Sequence, residues 1–240
     1  MRILDIDGPL VQFLSKMADL MWLNILTMIC CIPIITAGAS LTALQYMALK
    51  IVRDEESYIT RGFFKAFRDN FKQSTIIWLI FMAVGIVLYA DYRIVTTMDV
   101  QINGVIKTLI MMVGAVALFT FMYVFPVQGK FSNSVRMTIW NAFVFSIVQF
   151  PKTILMIVFY VLPYIMLCLW DAIFPVVFVF CLSLPALLSA KLYNKFFLRM
   201  EEQILAKCAA EAGEGMTEEE DERIFKDELD ETISIGQNDQ

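Results

Sequence analysis

Charged residues divide this chain into long apolar segments. Between Lys72 and Asp91 lie 18 residues without a charged side chain, and between Lys107 and Lys130 there are 22. Between Lys152 and Asp171 there are 18, and between Asp171 and Lys191 there are 19. A helix needs roughly 17–25 such residues, at ~1.5 Å rise each, to cross a hydrocarbon core of ~30 Å. All four segments are long enough. A fifth uncharged stretch, residues 20–49, holds Asn24, Pro33, Gly38, Ser40 and Gln45. It supplies one spanning helix, or two short ones joined near residues 36–40. The expected fold is therefore all-α, a polytopic transmembrane helical bundle of about five spans, with four and six as the bounds.

Apolar residues make up 59% of the chain and charged residues 18%, against about 45–50% and about 25% in soluble domains. The charges are segregated. Residues 201–240 hold 14 acidic side chains against Lys207, Arg223 and Lys226, whereas residues 1–200 hold 16 basic and 10 acidic. Three regions follow: an N-terminal interfacial helix over residues 1–19, a transmembrane domain over 20–200 and an acidic cytoplasmic tail over 201–240. The start, Met1-Arg2-Ile3-Leu4-Asp5-Ile6-Asp7-Gly8, is acidic rather than basic, and no apolar stretch with a small-residue cleavage site follows, so no cleavable signal peptide is expected.

Asp7-Gly8-Pro9 has the form of a helix start, and Leu10, Phe13, Leu14 and Met17 recur at helical spacing. The first span then runs from residue 20 to about 35, where Pro33 and the run Ala37-Gly38-Ala39-Ser40 break or bend it. Residues 41–73 are amphipathic: Lys50, Arg53, Arg61, Lys65, Arg68 and Lys72 alternate with Phe63, Phe64, Phe67 and Phe71. The spacing predicts a helix in the membrane interface, with Phe64, Lys65, Phe67, Arg68, Phe71 and Lys72 meeting lipid or a partner.

The second half repeats this scheme loosely. The span over 108–126 ends in Phe125-Pro126. An aromatic helix with Trp140, Phe143 and Phe150 follows, then a span over 153–170, and Pro185 stands near the end of the last span. An old duplication and simple convergence both account for the pattern. Lys and Arg are dense in 50–72, in 130–152 and after residue 190, which places those segments and the C-terminus in the cytoplasm. The side of the N-terminus depends on whether 20–49 crosses once or twice. In the tail, Thr217-Glu218-Glu219-Glu220 has the capping-box form, and residues 217–229 form either a partner-docking helix or a solvated segment.

Catalytic chemistry finds little to work with. The chain has no histidine and its ten glycines are scattered, so histidine-based nucleophile systems, most zinc sites and phosphate-binding loops are absent. Asp91 and Asp171 sit at span ends, where a charge marks the interface. Met111-Met112 and Cys30-Cys31 are adjacent pairs pointing to different helix faces, a poor arrangement for copper. The expectation is no enzyme, no cofactor, no metal and no nucleic-acid partner. Polar residues at membrane depth are the usual pointers to a substrate path. Here they are Asn24, Ser183, Gln45 if it is buried, and Asn141 and Gln149 if their helix dips inward. Asn24 reads first as a bond to a neighbouring helix. The segment 33–40 is the candidate polar break, with Asn24, Pro33, Gly38 and Ser40 as its residues.

Several strings resemble the YesL family of bacterial integral membrane proteins, a domain of unknown function. They are Phe13-Leu14-Ser15-Lys16-Met17-Ala18-Asp19-Leu20, Leu23-Asn24, Cys31-Ile32-Pro33-Ile34 and Gly38-Ala39-Ser40, then Leu49-Lys50, Arg53-Asp54-Glu55-Glu56, Phe63-Phe64-Lys65-Ala66-Phe67 and Asn70-Phe71-Lys72-Gln73. The likeness covers residues 8–92, and the acidic extension beyond 205 lies outside it. The resemblance implies association with carbohydrate ABC uptake systems, and carries over no catalytic or binding residue. The expected function is an accessory integral membrane protein of such a system, multi-pass in a bacterial plasma membrane, meeting lipid and a transporter component or further copies of itself. The alternatives are an autonomous small-solute channel or carrier, and a structural or membrane-sensing protein.

Overall fold

The computed structural model describes residues 9–55, 58–97, 103–131, 133–169 and 174–212. Within them the chain is helical: α1 (Pro9–Cys31), α2 (Ala37–Arg53), α3 (Ile59–Thr97), α4 (Asn103–Lys130), α5 (Val135–Val148), α6 (Phe150–Leu169), α7 (Phe174–Phe180) and α8 (Ser183–Ala212). Two compact units divide it at Tyr193, inside α8. Asp7, the Trp170-Asp171 turn and the 217–229 helix lie outside the described residues.

Among the described residues, five helices are long and apolar enough to cross a membrane, and α7 with α8, bent by 50°, adds a sixth if taken as one broken span. This is a membrane protein built as an all-α polytopic bundle. The 20–49 stretch resolves into two helices. Pro33 lacks an N–H and disfavours helical backbone at Ile32, so α1 stops at Cys31 and a single 3-10 turn, Ile34–Thr36, leads into α2. The Thr36 hydroxyl lies 2.6 Å from the Cys30 carbonyl and 2.8 Å from that of Pro33, and donates within the turn.

Several sequence expectations change. Among the described residues, 9–19 form no separate surface helix, because α1 is continuous from Pro9 to Cys31. Gly38 and Ser40 are not in an unwound segment; they lie fully inside α2 and are buried. Residues 41–73 are not one helix. α2 ends at Asp54, whose left-handed backbone (φ 57°) lets the Asp54 and Glu55 N–H groups close on Ile51 and Lys50. That is a Schellman-type stop. The Lys16 ammonium on α1 pairs with the Asp54 carboxylate at this corner. The cationic segment beyond it is not a separate interfacial helix but the first half of α3, a helix of 39 residues.

Prolines mislead elsewhere. α4 runs through Pro126 to Lys130, since Phe125, Val127 and Gln128 around it are buried and hold the next turn in place. The last span breaks at Cys181-Leu182. Pro185 therefore stands in the first turn of α8, where its missing N–H has no partner to lose.

Each of α2, α3 and α4 packs on the helix before it. On α1 and α2, the Ser40 hydroxyl donates to the Thr27 carbonyl at 3.0 Å. α2 lies along the first half of α3: Thr42 and Ser74 share a hydrogen bond of 2.8 Å, and Thr75 on α3 donates to the Ile35 carbonyl just before α2. α4 returns beside α3 through Trp78, Phe81, Phe121 and Phe125, with ring centroids 5.1–6.4 Å apart. α2 is the central helix, with two thirds of its length buried.

Candidate functional site

The first half of α3 carries the densest charge of the described membrane body. At ~100° per residue, its side chains sort into three strips. Phe63, Ala66 and Ser74 face inward and are buried. Next to them run Phe67 and Phe71, half-buried, and Phe64, which is 47% exposed. The outer strip holds Arg61, Lys65, Arg68 and Lys72, all exposed. The rings form a ladder: Phe63 stacks on Phe67 at 6.3 Å and Phe67 meets Phe71 at 5.5 Å. Phe64, Phe67, Arg68, Asp69, Phe71 and Lys72 line a shallow open groove. The six residues expected from the sequence thus form one surface, with aromatic and cationic strips side by side.

A polar joint fixes this half of α3. Gln128 on α4 donates to the Asn70 amide oxygen at 3.1 Å and accepts from the Thr138 hydroxyl of α5 at 3.1 Å. Gln73 donates to the Asn133 carbonyl, and Trp22 of α1 donates to Thr60 at 2.8 Å. Gln128 and Thr138 carry no sequence signal of their own, and with Asn70 they become significant only when three helices, α3, α4 and α5, meet.

The candidate polar break is differently arranged. Asn24, fully buried, lies on α1 and makes none of its hydrogen bonds to Pro33, Gly38 or Ser40. Its amide donates to the Phe178 carbonyl at 2.9 Å, and its oxygen accepts the N–H groups of Leu182 and Ser183 at 3.0 and 3.2 Å. Asn24 therefore caps the break between α7 and α8. This is the helix–helix role expected of it first. Gly38 serves close contact: a methyl group there would stand 2.5 Å from the Ser74 carbonyl oxygen. The exposed residues of the bend are apolar, Ile32, Ile34 and Ile35 among them.

A second buried cluster centres on Gln45 of α2. Its amide nitrogen donates to the Tyr160 hydroxyl at 2.6 Å, and its oxygen accepts from Tyr193 at 3.1 Å. Gln45→Leu strips a partner from both tyrosines and is expected to cost about 1–3 kcal/mol. A thermal unfolding midpoint in detergent, compared with the milder Tyr160→Phe, checks this. Of the other polar candidates, Ser183 is buried and Gln149 sits at the corner between α5 and α6. Asn141 is half-buried on α5. Among the described residues no three His, Cys, Asp or Glu side chains are grouped to hold a metal ion.

Residues 20–92 match the family described as "Protein of unknown function, DUF624". The matched segment starts within α1, takes in α2 and the cationic half of α3, and ends near the end of α3. It thus contains Asn24, Gln45 and the whole aromatic–cationic surface. No curated protein and no solved structure matches the chain.

Proposed function

We propose that the protein is an accessory, non-catalytic membrane subunit that works by packing against another integral membrane protein. The observation that supports this reading is how the interior polar groups are used. Asn24, Gln45, Thr42, Ser74 and Gln128 each bond to a neighbouring helix or to the α7–α8 break, so these five hold helices together rather than line a polar solute path. The outward faces of α3 beyond Ile76 and of α4 before Phe119 are apolar and exposed. They are surfaces for helix packing or lipid.

The finer reading rests on the likeness of residues 8–92 to the YesL family. It makes the partner a carbohydrate ABC uptake system of a bacterial plasma membrane, with the cationic half of α3 and the C-terminus on the cytoplasmic side, as the Lys and Arg distribution favours. Purification of the tagged full chain in mild detergent is the test. Permease and ATPase subunits are expected with it in fixed proportion. Recovery of the chain alone, or only as copies of itself, would overturn the proposal.

A further inference from the structure

α3 is too long for the membrane. Its 39 residues extend about 58 Å at ~1.5 Å each, nearly twice a hydrocarbon core of ~30 Å. Its uncharged half, residues 73–90, is largely exposed and apolar from Ile76, and Asp91 and Arg93 follow it. That half takes the core. The first half, with four exposed cations, then emerges from it without a break in the helix. Arg68 and Lys72 are the two cations nearest the apolar half, one turn apart on one face, which sets their Cβ atoms about 5–6 Å apart. Phe64, Phe67 and Phe71 run beside them as an apolar shelf. The groove at this point is lined by both strips.

We propose that Arg68 and Lys72 bind the phosphate of an anionic phospholipid whose acyl chains lie along the exposed second half of α3. Three features select a lipid over a free anion. The cations stand at the edge of the uncharged half of α3, which is headgroup depth if that half spans the core. The aromatic strip offers an apolar surface that a free anion cannot use. The apolar helix continues directly from the site. An Arg fork and a Lys point charge supply complementary donors to one phosphate. Asp69 borders the groove and limits the site's net charge.

The test uses the full chain, purified in mild detergent and offered equal amounts of phosphatidylglycerol and phosphatidylcholine. Native mass spectrometry then counts the retained lipid. The wild type is expected to retain phosphatidylglycerol preferentially and to lose the preference as salt rises. Each cation near a membrane surface contributes about fivefold to binding, so Arg68→Gln/Lys72→Gln is expected to lower retention by roughly 30-fold. Arg93→Gln, at the far end of α3, is expected to leave it unchanged. Asp69→Asn is expected to raise it. An unchanged unfolding midpoint shows that the double variant is folded; if that variant fails to fold, Arg68→Lys and the wild-type salt dependence decide the matter. Equal retention of the two lipids by the wild type, or equal phosphatidylglycerol retention by wild type and double variant, overturns the proposal. So does complete displacement by an equal concentration of inorganic phosphate, which would make this a free-anion site.

Discussion

Gly38→Ala is expected to destabilise the protein, although alanine is the better helix former. A Cβ at residue 38 would stand 2.5 Å from the Ser74 carbonyl oxygen and 2.6 Å from the Trp78 Cβ. Neither atom is the loose end of a flexible side chain, so α2 and α3 must separate. Overpacking of this kind costs about 1–3 kcal/mol, against about 0.5–1 kcal/mol that alanine gains over glycine inside a helix. The clash is larger, so a net loss of about 1–2 kcal/mol is expected. Gly38→Leu is expected to abolish the accumulation of folded protein. The Thr42–Ser74 bond, one turn away, would open as the helices part. Gly85→Ala and Gly114→Ala are the controls. Nothing lies within 4 Å of a Cβ at either position, so both should be neutral or slightly stabilising. Unfolding midpoints for the set check the sign. Equal effects at all three glycines would refute the close-contact account.

The second large effect is expected at Asn24. Asn24→Leu keeps the side chain's bulk and removes every bond it makes to the α7–α8 break. The N–H groups of Leu182 and Ser183 then lose their acceptor in a buried site, at about 1–3 kcal/mol for each. Side-chain hydrogen bonds between membrane helices average only about 0.6 kcal/mol, because alternative partners exist in the unfolded state. The backbone groups of a broken helix have no such alternative unless the break rewinds. The expected loss is therefore about 2–5 kcal/mol, read from unfolding by SDS in mixed micelles. A loss below about 0.5 kcal/mol would show that the break is satisfied in another way. Asn24→Asp removes the donor to Phe178 and buries a charge, and is expected to be at least as damaging.

Local features of the sequence located most of the helices. Four uncharged runs and one ambiguous stretch correspond to α3's second half, α4, α6, the α7–α8 pair and the α1–α2 hairpin. Pro33 marks a real break because no packed neighbour holds the chain helical through it. Pro126 does not, since Val127 and Gln128 are locked against other helices. The joining of the cationic segment to the span after it was hidden, because a change from charged to apolar composition reads as a boundary while the backbone simply continues. The break at residues 181–182 did leave a signal. Ser183-Leu184-Pro185 has the form of a helix start, obscured by the apolar residues on both sides. The six residues of the aromatic–cationic surface were legible because they sit on one helix at 3–4 residue spacing. The partners of Asn24, Gln45 and Gln128 were not, since periodicity along one helix carries no information about a residue far along the chain.

The Asn24 bridge also bears on the order in which the chain is completed. Asn24 and Phe178 are 154 residues apart, about 8–30 s of synthesis at ~5–20 residues per second. Through that interval α1 exists without the groups that its amide will finally bond. α1 meets α2 and α3 early but completes its native contacts only when α7 and α8 are made, and until then the amide needs water, an insertase or another helix as a temporary partner. A chain stopped before residue 178 therefore lacks one part of the native setting of α1, the bonds that Asn24 makes.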